Sequence, residues 1–300
     1  MAVYKRGYRP YDGPLTAERA RFLVIPRHAL RELGESRLLV FYLALCFLPF
    51  LFALVVVYVA NSPAAQALLG MAGGSGVIDI RSEFFLVGLT VQGTLAFFLT
   101  AWVAPVLVSP DLVNGALALY LSRPFTRAEY VLGKAAVLFI LLSLVTWLPV
   151  LGVFSLQAGL AGPEWLGAHL RIPFAIVAGA WTWIAVLTLL GLAVSAWVRW
   201  RLVATGALFA VFFMGAAFGE AWREAVRTPW GRMANVAYLI EIVWRGLFAF
   251  APPHGAAREM FDERQLRDLP VWAAWLGLAA ICAFCLWLLE RRLRAREVVR

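Results

Sequence analysis

Few residues in this 300-residue chain have the type and spacing to do chemistry. Gly133-Lys134 comes nearest to a phosphate cradle, which needs Gly, four residues, then Gly-Lys-Ser/Thr. Ala128 stands where the first Gly is required and Ala135 where the hydroxyl is required, with no strand–helix alternation around them. The sequence therefore holds no nucleotide-hydrolysing loop of its own. Cys282-x-x-Cys285 has the spacing of a redox pair or half a zinc site, yet it lies in an apolar run without a second ligand pair. Together with Cys46, these read as small packing residues and not as metal ligands. His28, His169 and His254 are scattered. No nucleophile–base pair or metal cluster converges, so an enzyme reading lacks a site. Gly70, Gly73, Gly74 and Gly76 sit in a loop with no preceding strand, which again excludes a phosphate cradle.

The elements that position these residues are membrane helices. Hydrophobic residues make up 62% of the chain and charged residues 15%, against roughly half and a quarter in soluble domains. A helix crossing hydrocarbon needs about 20 mostly apolar residues. Six stretches qualify without a single Asp, Glu, Lys or Arg: 38–60, 84–108, 135–157, 172–198, 202–219 and 271–289. The fold class expected is an all-α polytopic integral membrane protein. Its parts are a segment over 1–37, a six-helix domain over 38–289 and a basic tail over 290–300. The first apolar run is too long for a signal-peptide h-region and has no cleavage site, so it stays as a span.

Of the 27 Lys and Arg, 18 fall before residue 38, between spans two and three, between spans four and five, or after residue 289. The positive-inside rule makes that side, with both termini, cytoplasmic. A net charge of +9 then needs no nucleic acid to explain it; the basic side faces anionic membrane lipids and whatever docks there. Trp102, Trp147, Trp165, Trp197, Trp200 and Trp272 are read as interfacial anchors near span ends.

Outside the spans, residues 17–37 show helical periodicity. Phe22, Ile25, Pro26, Ala29, Leu30 and Leu33 share one face, opposite Arg27, His28, Arg31, Glu32 and Glu35. Pro26 falls in its first turn or marks its true start, and such a helix lies in the headgroup plane. Residues 220–270 form a long outer segment. In it Glu220, Arg223, Glu224 and Arg227 pair at helical spacing before Pro229. A further apolar helix over 234–251 is read not as a seventh span, which would move the arginine-rich C-terminus outside, but as lying in or dipping into the outer leaflet with Glu241 and Arg245 paired. Within the spans, Gln92, Thr94 and Thr100 could touch a substrate, and Gly215-x-x-x-Gly219 offers a close-packing face. Pro49, Pro105, Pro149 and Pro173 show no paired symmetry and read as kinks.

The stretch 109–134 is the most informative. Asp111 follows Ser109-Pro110 as a helix start, an apolar helix with Leu117 and Leu121 comes next, and Ser122-Arg123-Pro124 breaks it. Thr126-x-x-Glu129 then has capping-box spacing and opens a helix that carries Arg127 and Tyr130 into span three. This loop resembles the one that type-2 ABC exporter permeases place between their second and third spans. The family pattern is an acid four before Gly, a Leu-rich helix, Pro with a basic residue three later, then Gly-Lys. Asp111 and Gly115, Pro124 and Arg127, and Gly133-Lys134 fill those places, with Asp for the usual Glu and Ala116 for the usual Thr. The resemblance implies a permease subunit that couples through this loop to separate ATPase subunits, which bind ATP and Mg. It also implies a second permease subunit, identical or paralogous, in a bacterial inner membrane. By the same resemblance Arg123, Arg127, Glu129 and Lys134 lie at or near the ATPase surface. An ion-driven secondary transporter is the alternative, though the six stretches hold no acids for coupling.

Overall fold

The computed structural model describes residues 23–68, 80–114, 126–198, 200–248 and 269–293. Among the described residues every regular element is helical. Six helical stretches are long and apolar enough to cross a membrane: Arg37–Asn61, Ser82–Asp111, Arg127–Ala161, Arg171–Trp197, Arg201–Val226 and Val271–Arg292. These are spans one to six, and the chain is a multi-pass membrane protein. Helices are the expected solution, because hydrocarbon offers no partner for an unpaired backbone N–H or carbonyl.

The helices overrun their apolar stretches. Hydropathy marks the thickness of the hydrocarbon, whereas helical hydrogen bonding continues until a cap stops it. Span two illustrates this, since its helix runs unbroken over Ser82–Val113 through Pro105 and Pro110. Asp111 therefore sits in the last turn of that helix, not in the first turn of a new one. The Ser-Pro signal failed because a proline inside a helix costs a hydrogen bond without having to end it.

Successive spans run in opposite directions, as their end contacts show. On one face Lys134 reaches Asp111, and the Ser109 hydroxyl donates to the Val198 carbonyl at 3.2 Å. On that same face Arg292 Nε donates to the Ala196 carbonyl at 3.1 Å. We call it the basic face. On the opposite face Asn61 Nδ2 donates to Gln157 Oε1 at 2.7 Å, tying the ends of spans one and three. Span four is the centre of the bundle: 67% of its most apolar window is buried, against 11% for span one and 17% for span five.

Two further helices pack on this frame. Val24–Gly34 lays Pro26, Ala29, Leu30 and Leu33 toward the protein and leaves Arg27, His28, Arg31 and Glu32 exposed. Pro26 falls in its first turn; Phe22 lies outside the described residues. Val236–Leu247, capped by Asn235 Oδ1 on the Tyr238 N–H, buries Leu239, Ile240, Val243 and Trp244 among spans four, five and six. Trp244 Nε1 donates to the Gly179 carbonyl at 2.9 Å, and Trp183 Nε1 donates to the Gly93 carbonyl at 2.9 Å. Only glycine fits beneath that ring, for a Cβ at Gly93 would stand 2.7 Å from Trp244 Cη2. Gly93 is about 16 Å along span two by helical rise, so this helix penetrates the bundle. Glu241 and Arg245 pair at 2.5 Å on its more exposed side.

Candidate functional site

A buried ion pair, Asp111 with Lys134, joins spans two and three at the basic face. Its geometry begins with the cap of span three. The Thr126 hydroxyl accepts the Glu129 N–H at 3.2 Å, and the Thr126 N–H donates to Glu129 Oε2 at 2.6 Å. This reciprocal box fixes the helix start at Arg127 and with it the phase of everything above. Tyr130 and Lys134, four residues apart, then share the face turned to span two.

Asp111 in the last turn of span two receives both. Tyr130 donates its hydroxyl to Asp111 Oδ2 at 2.8 Å, and Lys134 Nζ stands 2.8 Å from the same oxygen. Lys134 Nζ also lies 5.6 Å from the centre of the Tyr130 ring. Tyr130 is 2% exposed and Lys134 7%. An ammonium buried to that degree is tolerable only beside an opposite charge, and the phenol hydroxyl supplies the carboxylate with a second donor. Such a set holds the ends of two spans at one separation, so that a displacement of the segment joining them moves both.

The residues singled out along 109–134 divide accordingly. Gly133 is buried on span three. Arg127 is exposed at the helix start. Glu129 spends its carboxylate on the Thr126 cap. Lys134 is buried, which removes it from any docking surface; a lysine at this depth needs the carboxylate more than water. Gly115, Arg123 and Pro124 lie outside the described residues.

Beside the cluster is a cavity of about 480 Å³. Asp111 and Lys134 line it together with His28 and Glu32 of the N-terminal helix, Trp102 of span two and Arg201 at the start of span five. Sequence reasoning counted Arg201 only as a flanking charge. Its place at the same cavity as Asp111 depends on how span five docks, for which the sequence carries no signal.

Other candidate residues do not gather. The Thr94 and Thr100 hydroxyls donate to the Thr90 and Ala96 carbonyls of their own helix, and Gln92 Nε2 donates to the Cys46 carbonyl at 3.2 Å. Gly215 and Gly219 do pack closely, but against the 3₁₀ helix Pro229–Ala234 of the same chain. A Cβ at Gly215 would meet the Ala234 carbonyl oxygen at 2.7 Å. Glu220 binds Arg223 at 2.7 Å, and also Arg232 of that 3₁₀ helix at 2.7 Å, a partner beyond helical spacing. Trp147 sits at an interruption inside span three and not at a span end. His169 stacks on Trp165, and all three cysteines are free. Among the described residues no three His, Cys, Asp or Glu come together as a metal site.

Compared with protein-family models and with curated proteins, the chain matches none.

Proposed function

We propose that this chain is the membrane-spanning permease subunit of a type-2 ABC exporter. It forms the translocation path with a second permease subunit, identical or paralogous, and performs no catalysis itself. ATP and Mg bind to separate ATPase subunits that dock on the segment 109–134. The basic face is cytoplasmic, both termini lie on that side, and the membrane is a bacterial inner membrane. In this reading the helix Val24–Gly34 rests among lipid headgroups with its charged side outward. The helix Val236–Leu247 belongs to the outer side.

The observation that supports this most is the Asp111–Tyr130–Lys134 cluster. A segment docked on a motor must be rigidly joined to the spans it drives, and this cluster clasps the two spans where that segment leaves them. Arg127, exposed at the cap, is the described residue best placed to meet the motor. To test the reading, the tagged chain is purified in mild detergent with its natural partners. A nucleotide-binding polypeptide and ATP hydrolysis should accompany it; recovery of the chain with neither contradicts the assignment.

One observation favours the second reading, an ion-coupled carrier. Spans one and three each lose the regular helical pattern for one residue part-way across, at Phe47 and at Thr146, and carriers often bind coupling ions where a spanning helix is discontinuous. Transport abolished by collapsing an ion gradient, with ATP still present, would select it.

A further inference from the structure

Two hollows adjoin where span five enters the bundle at the basic face. One is the cavity of about 480 Å³ beside the Asp111–Lys134 pair, walled by span two, the N-terminal helix and Arg201. The other, of about 490 Å³, is a groove between spans two and five, lined by Phe98, Ala101, Leu202, Thr205 and Phe209. Trp102 and Arg201 line both. A charged hollow at the basic face thus leads into an apolar one along the spans.

Three properties say what fits there. First, the groove is apolar and open. Its one hydroxyl, on Thr205, donates to the Ala101 carbonyl at 3.0 Å, the carbonyl that Pro105 deprives of a helical N–H. Leu202 and Phe98 are 86% and 44% exposed, so on a membrane span an acyl chain has access. Second, the groove has the length of a leaflet. Phe209 follows Arg201 by about 12 Å of helical rise, and half of the hydrocarbon core is about 15 Å. Third, the charges at its head come as one of each sign. Asp111 and Lys134 satisfy each other at 2.8 Å. Arg201 and Glu32 remain, both exposed and neither with an ion-pair partner among the described residues. His28, one turn before Glu32, lines the same hollow, and its ring can donate or accept. A purely anionic group bound to Arg201 would meet Glu32 as a like charge, whereas a group carrying both signs complements the pair.

We infer that the two hollows together hold one phospholipid whose headgroup carries a phosphate and a primary ammonium, as phosphatidylethanolamine does. The phosphate pairs with Arg201, the ammonium with Glu32, and one acyl chain lies between Phe98 and Phe209. Trp102 sits where headgroup gives way to chain, the depth that suits an amphipathic ring. A primary ammonium can donate to the Glu32 carboxylate; the trimethylammonium of phosphatidylcholine has no N–H to give, and phosphatidylglycerol has no cation at all. The inference needs only that the chain spans a membrane, and it stands whether the chain is a permease or a carrier.

The test uses the full chain in phosphatidylcholine bilayers and three trace probes that share one diazirine-bearing acyl chain: phosphatidylethanolamine, phosphatidylcholine and phosphatidylglycerol. The ethanolamine probe should label Phe98, Leu202 or Phe209 saturably, with unlabelled phosphatidylethanolamine competing. At equal bilayer fraction it should exceed each of the other two about fivefold, the worth of one exposed ion pair. Lipid-exposed Leu144 of span three serves as the reference and should show no headgroup preference. Glu32→Gln should bring the ethanolamine probe down to the choline level, and Arg201→Gln should lower all three. Equal labelling of the groove by the three probes would overturn the proposal in favour of a crevice that reads only chains. Stronger labelling by phosphatidylglycerol would overturn it in favour of an anion site, and labelling that never saturates would leave ordinary boundary lipid. These outcomes are read on the unmodified chain, so none depends on a variant that folds.

Discussion

Span two crosses to its neighbours at two depths, and the two crossings differ in how fully they are satisfied. At the basic face Asp111 accepts from Tyr130 and from Lys134, and charge is matched by charge. Deeper in the bundle Gln92 uses its amide N–H on the Cys46 carbonyl, and its oxygen is buried without a hydrogen-bond partner among the described residues. The backbone differs in the same sense. Around Asp111 the helix passes unbroken through Pro110, and span three starts from a reciprocal cap. Around Gln92 both adjoining helices depart from the regular pattern for one residue, at Phe47 and at Thr146. A polar network that is complete over-determines its geometry; one that is incomplete fixes it less tightly. The first crossing suits a rigid connection more than the second does.

Substitution can break this contrast. The largest effect belongs to Lys134→Met, which leaves the Asp111 carboxylate without its ion pair where it is only 18% exposed. Removing one partner of a buried pair costs about 3 kcal/mol or more, and replacing Asp111 by Asn in the same chain should restore part of it. Unfolding in SDS titrations, followed by tryptophan fluorescence, measures both. Gly93→Ala comes next. Its methyl meets the Trp244 ring, and overpacking of this kind costs about 2 kcal/mol. The same titration should show it, with Trp244 emission altered; an unchanged spectrum would mean that this ring is not held where the structure places it.

Smaller effects sharpen the contrast. Thr126→Ala removes the side-chain half of the capping box and should cost about 1 kcal/mol. It should also speed amide exchange over the first turn of span three and leave span two untouched. Gln92→Leu is expected to change stability by less than about 1 kcal/mol, because it removes an open acceptor along with one hydrogen bond. If Gln92→Leu proved as damaging as Lys134→Met, the two crossings would not differ as described.

Much of the frame was legible in the residues. Apolar stretches of membrane length located all six spans, because hydrocarbon thickness imposes that length on any sequence. The Thr126–Glu129 box was legible for a similar reason, since capping acts between residues three apart. Span lengths were not, for Lys134, Pro110 and Glu220 look like boundaries in a hydropathy profile yet lie inside helices. The charged cluster was half visible. Tyr130 and Lys134 have i,i+4 spacing, but nothing local says that Asp111 is the group they face. The irregular points of spans one and three were hidden altogether. Pro49 and Pro149 resemble Pro105 and Pro110, and only the first two stand beside a residue where the regular helical pattern lapses. A proline's local chemistry is the same in all four places; neighbouring helices decide whether the lost hydrogen bond becomes a kink, a break or neither.

The central claim is that the end of this rigid clasp meets an ATP-driven motor, and Arg127 is where contact should be felt. A photo-crosslinking amino acid placed at Arg127, with a second at lipid-exposed Leu144 as reference, tests it in intact membranes. Irradiation should join position 127, and not position 144, to a polypeptide that is itself labelled by an azido-ATP analogue, with a yield that changes when ATP is bound. Adducts at position 127 with lipid alone, or with no nucleotide-binding polypeptide, would contradict it.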